Sequence, residues 1–291
     1  MCYRLLLGRP PEFHGVDQLE VRASQNNLND LVYGFLRSEE FGRRWETAGF
    51  ELPEVPVMAN LEDFKLWFYL SDRIVGWGAV EGNYESDLVA AIRSFVRPGM
   101  LCCDLGANIG YFSMIMAHAR AEVFAFEPFP KNFKLLTRNI AENHFDERVR
   151  AFPAAVTNHS GTSRLHVDCQ ESDYVGMFVS EGNGIVDGFR QLEIDTVELD
   201  SVVPEGHRVD CIKMDIEGSE PRALAGMKKI LMRDKPRIFF EFNPQAIREH
   251  SKTDPAELLD DMRRFGYKIT TVAGVDFVFT DALHVENLIA A

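Results

Sequence analysis

Between Cys103 and Phe112 the chain reads Cys-Asp-Leu-Gly-Ala-Asn-Ile-Gly-Tyr-Phe. This is the pattern of a buried strand that ends in an acid, turns on glycine and starts a helix. One βα unit later, Val123-Phe124-Ala125-Phe126-Glu127-Pro128 reads as a second apolar strand ending in a carboxylate. Parallel strands need a crossover helix between them, and ligands of such sheets collect at the carboxyl ends of the strands. Two such units in succession therefore commit the chain to an α/β fold with a nucleoside-sized pocket at one sheet edge.

The details of the first turn narrow the ligand. A dinucleotide site wants G-x-G-x-x-G, so that a pyrophosphate can rest on a helix N-terminus. Here the pattern is D-x-G-x-N-x-G, from Asp104 through Gly106 and Asn108 to Gly110. A carboxylate before the turn repels a pyrophosphate and suits a cation, such as the sulfonium and amino group of S-adenosylmethionine. Glu127 is then matched to the two hydroxyls of a ribose. Gly106 and Gly110 alone would also fit any tight strand-to-helix turn. It is their combination with Asp104 and Glu127-Pro128 that points to a cofactor. Asn108 either meets the ligand with its amide or caps the helix.

Charge and composition exclude other classes. With 45 acidic against 31 basic residues the net charge is −14, and no Lys/Arg block appears, so nucleic-acid partners are not expected. The N-terminus lacks the apolar run of a secretory signal and no segment approaches a membrane span, so the expected location is the cytoplasm. The five cysteines, Cys2, Cys102, Cys103, Cys169 and Cys211, have no metal-type spacing and read as small buried hydrophobes.

Along the chain, residues 1–50 look helical, and the prolines of Glu51-Leu52-Pro53-Glu54-Val55-Pro56 read as a linker. The expected domains are a helical module at 1–55 and an α/β domain at 56–291. A helical stripe at Leu88, Val89, Ile92 and Phe95 ends at Pro98-Gly99. Strands are expected at 100–104, 122–127, 149–155, 210–215 and 237–242. Helices are expected at 111–120, 132–144, 222–231 and 255–265. The glycine-rich region 157–199 breaks this alternation and reads as a β-rich insertion with a mobile tip. Residues 268–272 and 276–280 flank Ala273-Gly274-Val275 with the spacing of an antiparallel hairpin.

The segments Glu81-Gly82-Asn83-Tyr84-Glu85, Asp104 to Ser113, Ala125-Phe126-Glu127-Pro128 with Asn132-Phe133, Leu199-Asp200-Ser201, and Ile212-Lys213-Met214-Asp215-Ile216-Glu217-Gly218-Ser219-Glu220 occur in this order. Together, over about residues 80–245, they resemble the FkbM family of S-adenosylmethionine-dependent methyltransferases. The resemblance implies a Rossmann-like seven-stranded sheet of order 3-2-1-4-5-7-6 with its last strand antiparallel. It also implies methylation of hydroxyls on sugars, glycolipids or polyketide-type products, and contact between Glu85 and the amino group of the methionine moiety. The candidate cofactor contacts are thus Glu85, Asp104, Gly106, Ala107, Asn108, Gly110, Tyr111, Glu127, Pro128, Ala155 and Asp215. Tyr3 to Pro10, Gly15 and Phe35 to Phe41 resemble a helical module of phycobilisome linkers; a helical hairpin packed on the catalytic domain is the other reading.

Asp215, Glu217 and Glu220 form D-x-E-x-x-E after an apolar strand, and Glu241 follows Ile238-Phe239-Phe240. Acids at a helix start are stabilising in any protein, which suits Glu220 and suits Asp215 poorly. Asp215, Glu217 and Glu241 are the candidate catalytic acids. A divalent cation on Asp215 and Glu241 is the less favoured alternative. Of the eight histidines, His144, His159 and His166 fall nearest the cofactor edge, and each reads more simply as a surface residue. The expected partner is a small-molecule or glycan hydroxyl acceptor, and a homodimer is left open. A non-catalytic S-adenosylmethionine- or nucleotide-binding protein that recruits partners is the runner-up. A nicotinamide oxidoreductase comes third, because Asp104 and the missing third glycine oppose it.

Overall fold

The computed structural model describes residues 55–168, 177–180, 188–280 and 284–291. The expected N-terminal helices and the tip of the insertion fall outside these residues. Residues 60–68 and 72–291 pack as one unit, and 55–59 with 69–71 belong to another. Two short strands come first, β1 (Pro56–Asn60) and β2 (Lys65–Tyr69), then helices α1 (Val75–Glu81) and α2 (Ser86–Phe95). The main alternation runs β3 (Leu101–Leu105), α3 (Tyr111–His118), β4 (Glu122–Phe126), α4 (Pro130–Glu142) and β5 (Val149–Phe152). After an insertion, it resumes with β10 (Cys211–Met214), β11 (Arg237–Phe242), β12 (Ile269–Thr271) and β13 (Glu286–Ala290).

These strands form a seven-stranded sheet of order β12-β13-β11-β10-β3-β4-β5. β13 runs antiparallel to both of its neighbours, whereas β11, β10, β3, β4 and β5 are parallel. Every residue of β3 and β10 is buried, as expected of central strands covered on both faces. Chain order reverses direction between β3 and β10, and at that switch point the crevice of an open α/β sheet forms. The core beside it includes Phe240, Phe242, Leu224 and Leu259. Among the described residues, no helix is long and apolar enough to cross a membrane.

Several expected boundaries shift, each for a local reason. The strand expected at 149–155 is two strands. β5 ends before Pro153, which has no N–H for a ladder, and β6 (Ala154–Val156) joins a second sheet. That four-stranded sheet, order β6-β9-β7-β8, is the expected β-rich insertion, with β7 at Gly161–Asp168, β8 at Phe178–Ser180 and β9 at Phe189–Val197. One-turn helix α5 (Leu199–Val202) leads from it to β10. The helix expected at 222–231 is two, α6 (Glu220–Ala225) and α7 (Lys228–Arg233). They part at Gly226, where a Cβ would stand 1.9 Å from the Thr157 carbonyl oxygen. After β11, a short helix α8 (Pro244–Ala246) and a π-helical turn at Ile247–Ser251 precede α9 (Pro255–Arg264). The expected hairpin is wrong in its second arm: β12 pairs with β13, and 276–280 contributes only a bridge from Asp276 to Thr270.

One buried polar side chain ties helix to strand. Asn139 of α4 accepts from the Trp67 backbone N–H at 2.6 Å and donates to the carbonyls of Trp67 at 3.0 Å and Ile109 at 2.8 Å. It thereby fixes α4 to both β2 and the turn after β3. Asn139→Ala leaves backbone groups without partners, so a loss of about 2–4 kcal/mol is expected in chemical denaturation. A loss under about 0.5 kcal/mol would mean that these bonds are readily replaced by water.

Candidate active site

The turn after β3 is set by glycine. Gly106 has φ +76°, and a Cβ there would stand 1.9 Å from the Asp215 carbonyl oxygen. Only glycine allows the turns after β3 and β10 to approach this closely. The N–H groups of Gly106 and Ala107 both donate to the Phe126 carbonyl, at 3.0 and 2.9 Å, which joins this turn to the end of β4. Asn108 takes a left-handed φ of +51°, donates its N–H to Glu127 Oε2 at 2.8 Å, and accepts from the Ile109 N–H with its side chain at 2.7 Å. Of the two roles open to Asn108, its described bonds shape the turn. Gly110, not Asn108, is the residue before α3, and a Cβ on Gly110 would strike Leu136 at 2.6 Å. Gly110 serves the packing of α3 on α4.

A cleft opens over these turns, with about 840 Å³ of empty space, part of it open to solvent. Its wall includes Gly106, Ala107, Asn108, Tyr111, Glu127, Pro128, Ala155, Asp215 and Glu217, all expected from the sequence. Glu85, Asp104, Gly110 and Glu241, also expected, are not on this wall. Asp104 is fully buried, and its Oδ2 accepts from the Ser113 hydroxyl at 2.6 Å. Glu85 accepts from the Asn287 amide at 2.9 Å. Asn287 in turn lies opposite Glu241 in the β11–β13 register.

Glu127 is 4% exposed, yet each of its oxygens is held by a backbone N–H: Oε2 by Asn108 and Oε1 by Phe129, both at 2.8 Å. Burial pushes its carboxyl up to about 7, against the pull of those two bonds. Each oxygen keeps a further lone pair for a ligand.

Lys213 has no role assigned from the sequence, although a lysine amid the apolar residues of β10 needs counter-ions. It is 3% exposed and lies on the cleft wall. Its ammonium is 3.2 Å from Asp215 Oδ2 and 5.0 Å from the centre of the Phe112 ring. Burial works against its charge, but Asp215, Asp104 and Glu85 outweigh burial and hold it above the ordinary lysine range. Tyr84, also on the wall, is kept neutral by burial and then by Asp215 and Glu85.

Glu220 departs from the solvated helix start expected of it. It is 2% exposed and folds back to accept from the N–H groups of Ile216 and Gly218, both at 3.3 Å. Burial, aided by Asp215, raises its carboxyl to about 8. Burial, then Asp215 and Glu217, raise Glu241 to about 9. With nothing bound beside it, Glu241 therefore favours its protonated form at neutral pH. Among the described residues, no group of three or more His, Cys, Asp or Glu side chains is arranged to hold a metal ion.

The insertion closes one side of the cleft through Leu165, Met177 and Val179. It is pinned by a stack with no clear sequence signal. Phe178 stacks on His166, at 4.6 Å, and on His250 of the π-helical turn, at 3.8 Å, with both rings nearly parallel to it. Arg222 donates to the carbonyls of Val179 and His250, each at 2.7 Å, and His250 Nδ1 meets the Glu217 carbonyl at 2.7 Å. The expected surface residue His166 is fully buried.

Residues 104–269, which include all three strand-end turns of the cleft, match the family described as Methyltransferase FkbM domain. The chain belongs to the FkbM methyltransferase family. Among its relatives, it is 28% identical over 152 residues to methyltransferase sdnD of Sordaria araneosa, 43% of this chain and 59% of sdnD. It is 28% identical over 214 residues to the 31-O-demethyl-FK506 methyltransferase FkbM of Streptomyces tacrolimicus, 63% of this chain and 78% of that protein. It is 24% identical over 178 residues to the hexuronic acid methyltransferase AglP of Haloferax volcanii, 60% of this chain and 70% of AglP. The match to sdnD thus spans less than two thirds of that relative.

The buried acids of this FkbM-family chain make its stability depend on pH. Glu241 and Glu220 bind protons more tightly folded than unfolded, so stability falls as pH rises from about 4.5 toward their folded values. Glu241→Gln removes one of these groups. Its unfolding temperature is expected to match the parent near pH 5 and to exceed it at pH 8, the gain bounded by about 1.4 kcal/mol per pH unit. Thermal scans across pH check this, and parallel pH curves would contradict it.

Proposed function

We propose that the chain is an S-adenosylmethionine-dependent O-methyltransferase acting on a hydroxyl of a sugar, glycolipid or polyketide-type small molecule. The observation that carries this reading is Glu127, a buried carboxylate fixed by two backbone N–H groups at the end of β4, beside the glycine turn at 106. Its remaining lone pairs suit a ribose diol, and the absence of a Cβ at Gly106 lets the turn after β10 close in beside it. The apolar wall formed by Ala155, Val156 and Leu165 suits the flat face of an adenine. The name of one relative, a 31-O-demethyl-FK506 methyltransferase, supports an oxygen acceptor, and that of another, a hexuronic acid methyltransferase, supports a sugar-derived acceptor.

When bound, S-adenosylmethionine supplies a methyl group already activated on a sulfonium, so the chain's own task is positioning and proton removal. Asp215 and Glu217, both on the cleft wall after β10, are the acids available to orient the acceptor hydroxyl and take its proton. Lys213 holds Asp215 in place from behind. The residues of the insertion that line the cleft, Leu165, Met177 and Val179, exclude water from one side.

Two variants separate binding from turnover. Glu127→Ala should weaken S-adenosylhomocysteine binding about ten-fold or more in calorimetry, since hydrogen bonds to charged groups contribute about 1.5–3 kcal/mol. Unchanged affinity in a folded variant removes Glu127 from the site. Asp215→Asn should cut methyl transfer by about 10²-fold, with a smaller effect on cofactor binding. Labelled methyl transfer to panels of glycosides, glycolipids and polyketide alcohols gives the readout, with EDTA expected to leave the rate unchanged. A fully active Asp215→Asn protein makes this acid a helix-start residue only.

A further inference from the structure

The cleft contains a buried cation ringed by acids from several elements. Lys213 is adjacent to Asp104 in the β3–β10 register and forms an ion pair with Asp215 at 3.2 Å. Glu85, before α2, and Glu127, at the end of β4, also face its charge. Such a lysine cannot be removed without leaving carboxylates uncompensated in the interior. It also lies on the cleft wall, so its charge acts on whatever the cleft holds. S-adenosylmethionine and S-adenosylhomocysteine differ by one methyl group and one unit of positive charge, and share every other feature. Their relative affinity therefore reports the charge of the wall that the sulfonium meets.

We propose that Lys213 is a positioning residue that fixes Asp215 at the cleft wall and sets the net charge met by the sulfonium, so that the balance between donor and product affinity is determined there. This rests on the methyl-transfer reading. Removing the ammonium makes the ring more negative by up to one unit, less whatever proton the facing acids take up, which strengthens attraction for a cation and leaves a neutral thioether nearly unaffected. A lysine with only a structural role would change both affinities together.

The test is calorimetric titration of the full chain with each ligand, in the parent and in Lys213→Met, Lys213→Arg and Asp215→Asn. Lys213→Met is expected to raise the ratio of the S-adenosylhomocysteine Kd to the S-adenosylmethionine Kd about five-fold or more, and Lys213→Arg to keep it within about two-fold. Asp215→Asn, which removes a negative charge and keeps the shape, is expected to lower the ratio. Equal changes in both affinities on Lys213→Met overturn the proposal. If Lys213→Met fails to fold, an unchanged ratio in Asp215→Asn overturns it instead. Failure of the S-adenosylmethionine-binding reading looks different, because the parent chain would then bind neither ligand.

Discussion

The turn after β3 can lie against the turn after β10 because residue 106 has no side chain. The position a Cβ would take is 1.9 Å from the Asp215 carbonyl oxygen. Everything at the crevice follows from that approach. It sets the Gly106 and Ala107 amides on the Phe126 carbonyl and brings the Asn108 amide to Glu127. It also brings Asp215 and Glu217 to the same cleft as Glu127, so that the ends of three parallel strands share one wall.

The electrostatics of the site are those of a charge-dense interior with one dominant cation. Burial raises Glu85, Asp104, Glu127, Glu220 and Glu241, and Lys213 offsets this for the acids that face it. Glu220 rises to about 8 and Glu241 to about 9, and Asp215 stands close enough to both to contribute. Two carboxyls kept neutral beside an ion-paired one give neighbouring acids separate parts to play, an effect of environment and not of residue type. Buried atoms without partners, Asp104 Oδ1, Glu85 Oε2 and Glu220 Oε2, fit protonated carboxyls or a polar ligand nearby.

Much of the fold was legible because β3, β4, β10 and β11 are apolar runs ending in acids or glycine, and such runs have few alternatives to a buried parallel strand. The glycine turn at Gly106 could be read for the same reason: its chemistry is local. What escaped the sequence depends on contacts distant along the chain. Glu220 reads as an exposed helix start until its carboxylate is seen folded under Ile216 and Gly218. His166 and His250 lie 84 positions apart and meet through Phe178, a stack that no spacing announces. The second arm of the expected hairpin failed because the turn at Gly274 looks complete by itself, while β13, which pairs with both β12 and β11, lies further along the chain. Lys213 was the missed signal that the sequence did contain, a charge in mid-strand with no polar neighbour on either side.

The central claim is that the crevice between β3, β4 and β10 takes S-adenosylmethionine and not a dinucleotide. Titration of the full chain with S-adenosylhomocysteine and with NAD⁺ under the same conditions tests it most directly. The account predicts saturable binding of one S-adenosylhomocysteine per chain and no heat from NAD⁺. Binding of NAD⁺ in its place, or of neither, would contradict it.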